Sequence, residues 1–173
     1  KQGVMKQILI DYQRVETANV ARHTAAGIQD IGRYKTKVMK ERILNKNPYA
    51  DVEIHQVEIN WQRQEFIRGL IRRSDIVIGS VDNREPREVL NKLGVEENKA
   101  LLFMGARHRA HALEILFTRR PRIDPCYVCF LMSLPEDRNK HGFLSLEPDR
   151  QVAYSDHPVE KVEPALSLDI TPM

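Results

Sequence analysis

The sequence predicts an α/β protein with a Rossmann-like, mainly parallel sheet, helices on both faces of that sheet and a long irregular C-terminal segment. Two observations carry this prediction: short apolar runs alternate with stretches of helical periodicity, and the periodicity is lost after residue 132. Strands that alternate with helices of about 10–16 residues are typical of parallel sheets covered on both faces. The 173 residues suffice for one domain with a substantial core.

Five segments have the composition of strands. The run Q-I-L-I-D at residues 7–11 is short and apolar and ends in an acid, and residues 51–59 alternate apolar with polar side chains. The run D-I-V-I-G-S-V at residues 75–81 is nearly continuous and typical of a strand buried on both faces. Residues 100–105 and 112–117 are the remaining predicted strands.

Three segments have helical spacing. Residues 32–47 carry an apolar stripe and stop at an Asn-Pro pair, and residues 61–73 repeat the pattern. Residues 83–93 have a proline in the first turn, and we expect Gly94 to lie just beyond the end of that helix. Residues 12–23 are predicted to form a polar loop.

The pattern breaks down over residues 133–162, which hold three prolines and many charges. Irregular segments of this length are usually functional loops or disordered. We therefore assign residues 1–132 to one partial α/β domain. Residues 133–173 are assigned to an irregular loop and the start of the C-terminal part of the same domain.

Composition excludes several classes of protein. No run of 18 apolar residues occurs and the first residues lack signal-peptide features, so we expect a cytoplasmic protein without a membrane partner. The net charge is +3, and six basic residues lie close together in sequence. Aromatic residues do not interleave with them, so a solvated rim is favoured and no nucleic-acid partner is expected. The six are Arg107, His108, Arg109, Arg119, Arg120 and Arg122.

Polar side chains follow two of the predicted strands. Asp11 ends the first strand, and Asp82 with Asn83 follows the strand at residues 75–81. Ligands of open α/β sheets bind at the carboxyl ends of the strands. Asp82 beside Asn83 also suits Mg²⁺, which prefers one or two carboxylates together with phosphate oxygens and waters.

Three segments, in this order, resemble a known family. They are D-Y-Q-R-V-E-T-A-N-V-A-R-H at residues 11–23 with I-G-R-Y-K at 31–35, S-V-D-N-R-E-P-R-E-V-L-N at 80–91, and P-C-Y-V-C at 125–129. Together they resemble the ThiF/MoeB/HesA adenylyltransferases, relatives of the ubiquitin-activating enzymes. The resemblance covers roughly residues 6–130 and implies that residues 1–132 are part of a nucleotide-binding adenylation domain.

The resemblance implies an enzyme that uses ATP and Mg²⁺ to adenylate the C-terminal glycine of a ubiquitin-like or sulfur-carrier protein, and that works as a homodimer. Asp11 would accept hydrogen bonds from the ribose hydroxyls. The phosphates would be held by Asn19, Arg22 and Lys35, and Asp82 would bind Mg²⁺ with Asn83 and Arg87 nearby. Arg22, Lys35 and Asp82 are the predicted catalytic residues. A capping role for Asn83 and a surface role for the basic residues are the simpler alternatives.

Some features depart from the family pattern. Gln13 stands where many members carry aspartate, which puts part of the ribose or metal environment in doubt, and His23 stands where many carry glutamine. The family's phosphate-binding glycine loop should lie before residue 7, and no G-x-G-x-x-G occurs in the sequence. A non-catalytic scaffold subunit of an activating-enzyme heterodimer therefore stays open, as does an NAD-binding Rossmann domain.

Cys126 and Cys129 are the two cysteines of the sequence and form one C-x-x-C. Two thiolates at this spacing supply half of a tetrahedral zinc site, which the resembling family completes with a second such pair. His141 and His157 are alternative ligands, although their spacing fits no zinc-finger pattern. A redox pair is less favoured, because the cysteines follow a proline and open no obvious amphipathic helix.

Overall fold

The structure, a computed structural model, describes residues 4–20, 23–107 and 112–133. Contacts between Cα atoms divide the chain into two compact units. Among the described residues, those up to residue 58 form the first unit, and those from residue 59 onward form the second.

The first unit is built on two parallel strands. Strand β1 (Lys6–Ile10) pairs with β2 (Asp51–His55), with Ile8 opposite Glu53 and Ile10 opposite His55. Both predicted strands are confirmed, although β2 is shorter than the predicted 51–59. The chain between them forms helix α1 (Thr17–Val20), a 3₁₀ turn (Ile28–Asp30) and helix α2 (Lys35–Lys46). The expected polar loop over residues 12–23 thus contains one helical turn.

The core of this unit lies under the loop that precedes α2. Val15, Ala26 and Val38 are buried together, and Val20 packs against them. Gly32 adopts a φ of 84°, a left-handed conformation that favours glycine. The predicted helix starts at Gly32. Helix α2 begins three residues later, at Lys35.

The second unit contains a three-stranded sheet with helices. Its elements begin with a 3₁₀ turn and helix α3, and end with the short helix α5. In order they are Trp61–Arg63, α3 (Gln64–Arg72), β3 (Ile76–Gly79), α4 (Arg84–Glu96), β4 (Ala100–Arg107), β5 (Ala112–Thr118) and α5 (Tyr127–Met132). Strand β3 pairs with β4 in parallel, and β4 pairs with β5 in antiparallel orientation.

Helix α4 organises the packing of the second unit. It contacts β3, β4, α3 and α5, and it buries Val89, Leu90 and Leu93. Ion pairs join its C-terminal end to α3: Arg68 and Arg72 each contact Glu97 at 3.0 Å. These hydrogen bonds, that from Arg72 foremost, lower the pKa of Glu97 and so favour its charged form.

Two predictions about the second unit are wrong. Gly94 lies inside α4 rather than beyond its end, and Asn98, with a φ of 53°, is the left-handed residue that follows the helix. Strand β3 is not buried on both faces in the part of the chain that the structure describes, since Ile76 is 42% exposed and Ile78 is 56% exposed. An apolar run does not reveal what covers each face of a strand.

The α/β class with a mainly parallel sheet is confirmed. The predicted irregular segment lies outside the described residues from residue 134 onward, as do His141 and His157. Across the described ranges, no helix combines the length and the apolar character that crossing a membrane requires.

Candidate functional site

Three polar residues meet at the carboxyl end of β1. Asp11 directly follows the strand, and its backbone N–H donates to His55 O at 3.1 Å. The Asp11 carboxylate accepts a 2.8 Å hydrogen bond from the backbone N–H of Gln13. The Gln13 side chain in turn accepts 2.6 Å from Lys35 Nζ, so the predicted ribose and phosphate residues of this unit are linked through Gln13.

Lys35 is held in place by its backbone as well as by its side chain. Its N–H donates to Gln13 O at 3.0 Å, and Lys35 is the first residue of α2. A cation at a helix N-terminus is unfavourable, because free N–H groups already give that end a partial positive charge. The same end is favourable for an anion such as a phosphate, and the amine adds a full charge beside it.

The loop between β1 and α2 carries the other predicted phosphate residues. Asn19 lies in α1, and its Oδ1 accepts a 3.1 Å hydrogen bond from the Glu16 backbone N–H. This bond orders the start of the helical turn and occupies one of the side-chain acceptor positions of Asn19. Arg22 lies outside the residues that the structure describes.

The buried carboxylate of Asp30, which is not among the predicted site residues, fixes this loop. Asp30 accepts hydrogen bonds from Gly27 N at 2.9 Å and Arg33 Nη1 at 2.8 Å, and Arg42 Nη2 of α2 lies 3.5 Å away. The hydrogen bond from Gly27, more than the arginines, lowers the pKa of Asp30. The cluster ties the loop to the helix that carries Lys35. Gly27 and Arg33 are each three residues from Asp30, and only the contact with Arg42, twelve residues away, depends on where α2 packs.

Asp82 and Asn83 lie between β3 and α4 in the second unit, and both are exposed. Asn83 occupies the N-cap position of α4, but its side chain makes no capping hydrogen bond. The simpler alternative, in which Asn83 serves only as a helix cap, therefore lacks the bond that defines such a cap. Both side chains follow the carboxyl end of a parallel strand, as predicted.

Arg87 has surroundings different from those of Asp82. Its side chain is buried, with 1% of the residue exposed, and Nη2 donates to Met104 O of β4 at 2.8 Å. Burial lowers the pKa of this guanidinium, against the opposing influence of Tyr127, Asp82 and Glu114. No pattern in the sequence predicts that this arginine turns inward.

Cys126 and Cys129 lie at the start of α5, with their Sγ atoms 3.6 Å apart. Cys126 is the N-cap residue of that helix, so the pair opens a helix of six residues, whereas no obvious amphipathic helix was expected there. Burial opposes ionisation of the Cys126 thiol, but hydrogen bonds from the Cys129 backbone and the Asn91 amide outweigh it and lower its pKa. Two sulfurs on one tetrahedral zinc ion would be about 3.8 Å apart, so the pair fits half of such a site.

The predicted site residues fall into two groups. Asp11 and Lys35 are linked through Gln13 in the first unit, whereas Asp82, Asn83 and Arg87 belong to the second. Their convergence on one magnesium–triphosphate stays a prediction. Over the described parts of the chain, no cluster of three or more histidine, cysteine or acidic side chains suits a metal ion.

Polar residues that follow parallel strands, as Asp11 follows β1 and Asp82 follows β3, are typical of ligand-binding sites in open α/β proteins. Comparison with known sequences identifies the family within this class of proteins. The profile of the ThiF family matches residues 1–153, and the chain belongs to this family.

Two curated relatives are named as an adenylyltransferase and as an activating enzyme. A sulfur carrier protein adenylyltransferase of Thermus thermophilus is 28% identical over 136 residues, which cover 77% of this chain and 49% of the relative. Ubiquitin-like modifier-activating enzyme 5 of Caenorhabditis briggsae is 29% identical over 135 residues, covering 73% and 31%. This chain thus spans about half of one relative and about a third of the other.

Solved structures agree on the fold. Escherichia coli MccB, crystallised with AMPCPP and selenomethionine MccA, superposes with a TM-score of 0.62 at 21% identity, covering 90% of this chain and 43% of that protein. The same protein crystallised with ATP gives a TM-score of 0.59. At this identity the likeness supports the α/β architecture alone.

Proposed function

We propose that the protein containing this chain adenylates the C-terminal glycine of a ubiquitin-like or sulfur-carrier protein. The observation that carries the proposal is the Asp11–Gln13–Lys35 cluster, in which Gln13 links a carboxylate that follows a parallel strand to a lysine at the start of α2. Membership in the ThiF family and the names of the curated relatives support the same activity.

In the proposed reaction, a carboxylate oxygen of the carrier attacks the α-phosphorus of ATP. A new P–O bond to the carrier forms, the bond to the bridging oxygen breaks, and pyrophosphate leaves with that electron pair. Two anions approach each other, so the site must neutralise charge rather than supply a nucleophile. One cation about 4 Å from a phosphate oxygen contributes on the order of 4 kcal/mol at an effective dielectric constant of about 20.

Each of the predicted site residues has the chemistry for one part of this reaction. Asp11 would accept hydrogen bonds from the ribose hydroxyls, and Lys35 with Asn19 and Arg22 would hold the phosphates. Asp82, with Asn83 beside it, has the ligand type that Mg²⁺ prefers, and a bound Mg²⁺ would neutralise the leaving pyrophosphate. Arg87 is kept out of the nucleotide contacts in this proposal, because its guanidinium is buried.

We further propose that Cys126 and Cys129 hold a structural zinc ion whose other ligands lie outside the described residues. Their Sγ separation of 3.6 Å supports this role. A homodimer is part of the same proposal, and light scattering on the full-length protein would test it.

Carrier-dependent exchange of labelled pyrophosphate into ATP by the full-length protein tests the proposed activity. We expect exchange with a matching carrier, and a loss of at least about 100-fold in Lys35→Met or Asp82→Asn, in line with the loss of one charge-stabilising group. Lys37→Met, on the same helix turn, and Asp75→Asn, just before β3, are the matched controls and should retain exchange. No exchange with any carrier would contradict the proposal.

A scaffold role is the second candidate function. Gln13 favours it, because this glutamine stands where many members of the family carry aspartate, so the ribose or metal environment has one acidic group fewer. Calorimetry distinguishes the two: a scaffold would form stable hetero-oligomers and would not bind ATP.

A further inference from the structure

The chain around Arg14 pairs with the chain that leads into α2. Arg14 and Tyr34 lie opposite each other in antiparallel orientation. Backbone hydrogen bonds flank this pair on both sides: one runs from Lys35 N to Gln13 O at 3.0 Å, and Val15 N donates the other at 2.8 Å to the carbonyl of the residue before Tyr34. In an antiparallel pair flanked in this way, the two opposite side chains come closer together than in the hydrogen-bonded pairs.

The side chains of Arg14 and Tyr34 contact each other directly. The guanidinium carbon of Arg14 lies 3.9 Å from the centre of the Tyr34 ring, a distance at which a cation is attracted to the negative face of the ring. Arg14 Nη1 also donates to Gly32 O at 2.6 Å, and Gly32 is the residue with the left-handed φ of 84°. One arginine therefore holds both the turn before α2 and the residue that directly precedes Lys35.

The stacked ring and the Lys35 amine lie on opposite faces of the paired segments. Lys35 Nζ donates to Gln13 Oε1 at 2.6 Å. Because the side chains of neighbouring residues in an extended segment alternate between faces, Arg14 points away from the face on which Gln13 binds Lys35. A slip of the pairing by one residue would turn the Gln13 side chain to the wrong face, and a pairing this short is marginal in water without side-chain contacts. The stacking of Arg14 on Tyr34 thus fixes the register on which the Lys35 contact depends.

We propose that Arg14 and Tyr34 are positioning residues for Lys35, whose amine they keep beside Gln13 and ready for the phosphates of ATP. The contact of Lys35 with ATP rests on the proposed function. Neither Arg14 nor Tyr34 contacts the nucleotide in this proposal. Loss of the stacking leaves Lys35 with its charge but without a fixed position, so ATP binding weakens less than it does when the amine itself is removed.

Calorimetry with ATP and the full-length protein tests the proposal. Arg14→Met should weaken ATP binding about threefold to fivefold, the size expected for one exposed cation–π contact. Arg63→Met, in the exposed 3₁₀ turn of the second unit, is the matched control and should leave the affinity unchanged. Tyr34→Leu should weaken binding as Arg14→Met does, whereas Tyr34→Phe keeps the ring and should retain the affinity. An unchanged affinity in Arg14→Met, or equal affinities in the two Tyr34 variants, would overturn the proposal.

A double-mutant cycle with Lys35→Gln shows whether Arg14 acts through the lysine. Lys35→Gln removes the charge and should weaken ATP binding about 10-fold, as for the loss of one hydrogen bond to a charged group. In that background Arg14→Met should have no further effect, because no amine is left to position. A further threefold to fivefold loss would show that Arg14 contacts the nucleotide or supports the whole unit, and would overturn the positioning role.

Pyrophosphate exchange measured on the same preparations separates this proposal from the proposed function. Exchange by the unaltered protein, together with full ATP affinity in Arg14→Met, contradicts only the positioning role. Weakened ATP binding in Arg14→Met, together with no exchange by the unaltered protein with any carrier, contradicts only adenylation.

Discussion

Lys35 Nζ donates a 2.6 Å hydrogen bond to Gln13 Oε1, and the two residues are also joined by a bond from Lys35 N to Gln13 O. The amine is therefore held by a neutral acceptor, and its positive charge is not cancelled by that partner. A lysine held in this way is oriented for an anion and keeps its full electrostatic attraction for it.

The substitution Gln13→Glu gives Lys35 an anionic partner, which competes with the nucleotide phosphates. We expect ATP binding to weaken about fivefold, which corresponds to about 1 kcal/mol, the upper range for partly exposed ion pairs. Calorimetry with the full-length protein measures the change, and Gln62→Glu, in the 3₁₀ turn of the second unit, is the charge-matched control. An unchanged affinity in Gln13→Glu would show that Lys35 does not contact the phosphates.

Substitution by alanine should have opposite effects on the free energy of unfolding at two helical glycines. A Cβ added at Gly94 would lie 2.2 Å from Cδ2 of the buried Leu101, whereas one added at Gly69 meets nothing within 4 Å. Gly94→Ala should therefore lower the free energy of unfolding by about 1–3 kcal/mol through overpacking. Gly69→Ala should raise it by about 0.5–1 kcal/mol through helix propensity. Urea denaturation followed by circular dichroism measures both, and equal effects would refute the packing at Gly94.

The Gly94 contact illustrates what the sequence could and could not predict. The positions of Asp11 and Asp82 after the ends of strands were predictable, because the alternation of strands and helices shows where the carboxyl ends of parallel strands lie. The helix end near Gly94 was not, since glycine serves both as a C-terminal signal and as a point of close helix–strand approach. The inward turn of Arg87 likewise depends on β4 and α5, which lie beyond any local pattern.

The Asp30 cluster predicts how stability depends on pH. The backbone N–H of Gly27, and then Arg33, lower the pKa of Asp30 in the folded state below its unfolded value of about 3.9. Its contribution is therefore fully present above pH of about 4 and is lost as the pH falls through the folded-state pKa. Asp30→Asn should reduce the free energy of unfolding at pH 7 and weaken its decrease between about pH 4 and 3.

Urea denaturation at a series of pH values measures that dependence. Asp51→Asn, at the exposed start of β2, is the matched control and should leave the pH profile unchanged. A variant at Asp30 with the same acid dependence as the unaltered protein would show that the carboxylate is not ionised in this cluster.

Asn91 connects the cysteine pair to the core of the second unit. The buried amide accepts a 2.9 Å hydrogen bond from Tyr127 N, and its Nδ2 lies 3.5 Å from Cys126 Sγ. Asn91→Leu removes both, leaving a buried N–H without its acceptor, so the free energy of unfolding should fall by about 1–3 kcal/mol. If the pair binds zinc, loss of this support should also weaken zinc binding by about 10–100-fold, as for other residues that orient metal ligands. Competition with a chromophoric chelator measures that affinity, and Asn45→Leu, in α2 of the first unit, is the control. Unchanged zinc affinity in Asn91→Leu would show that the amide supports the fold of α5 and not the metal.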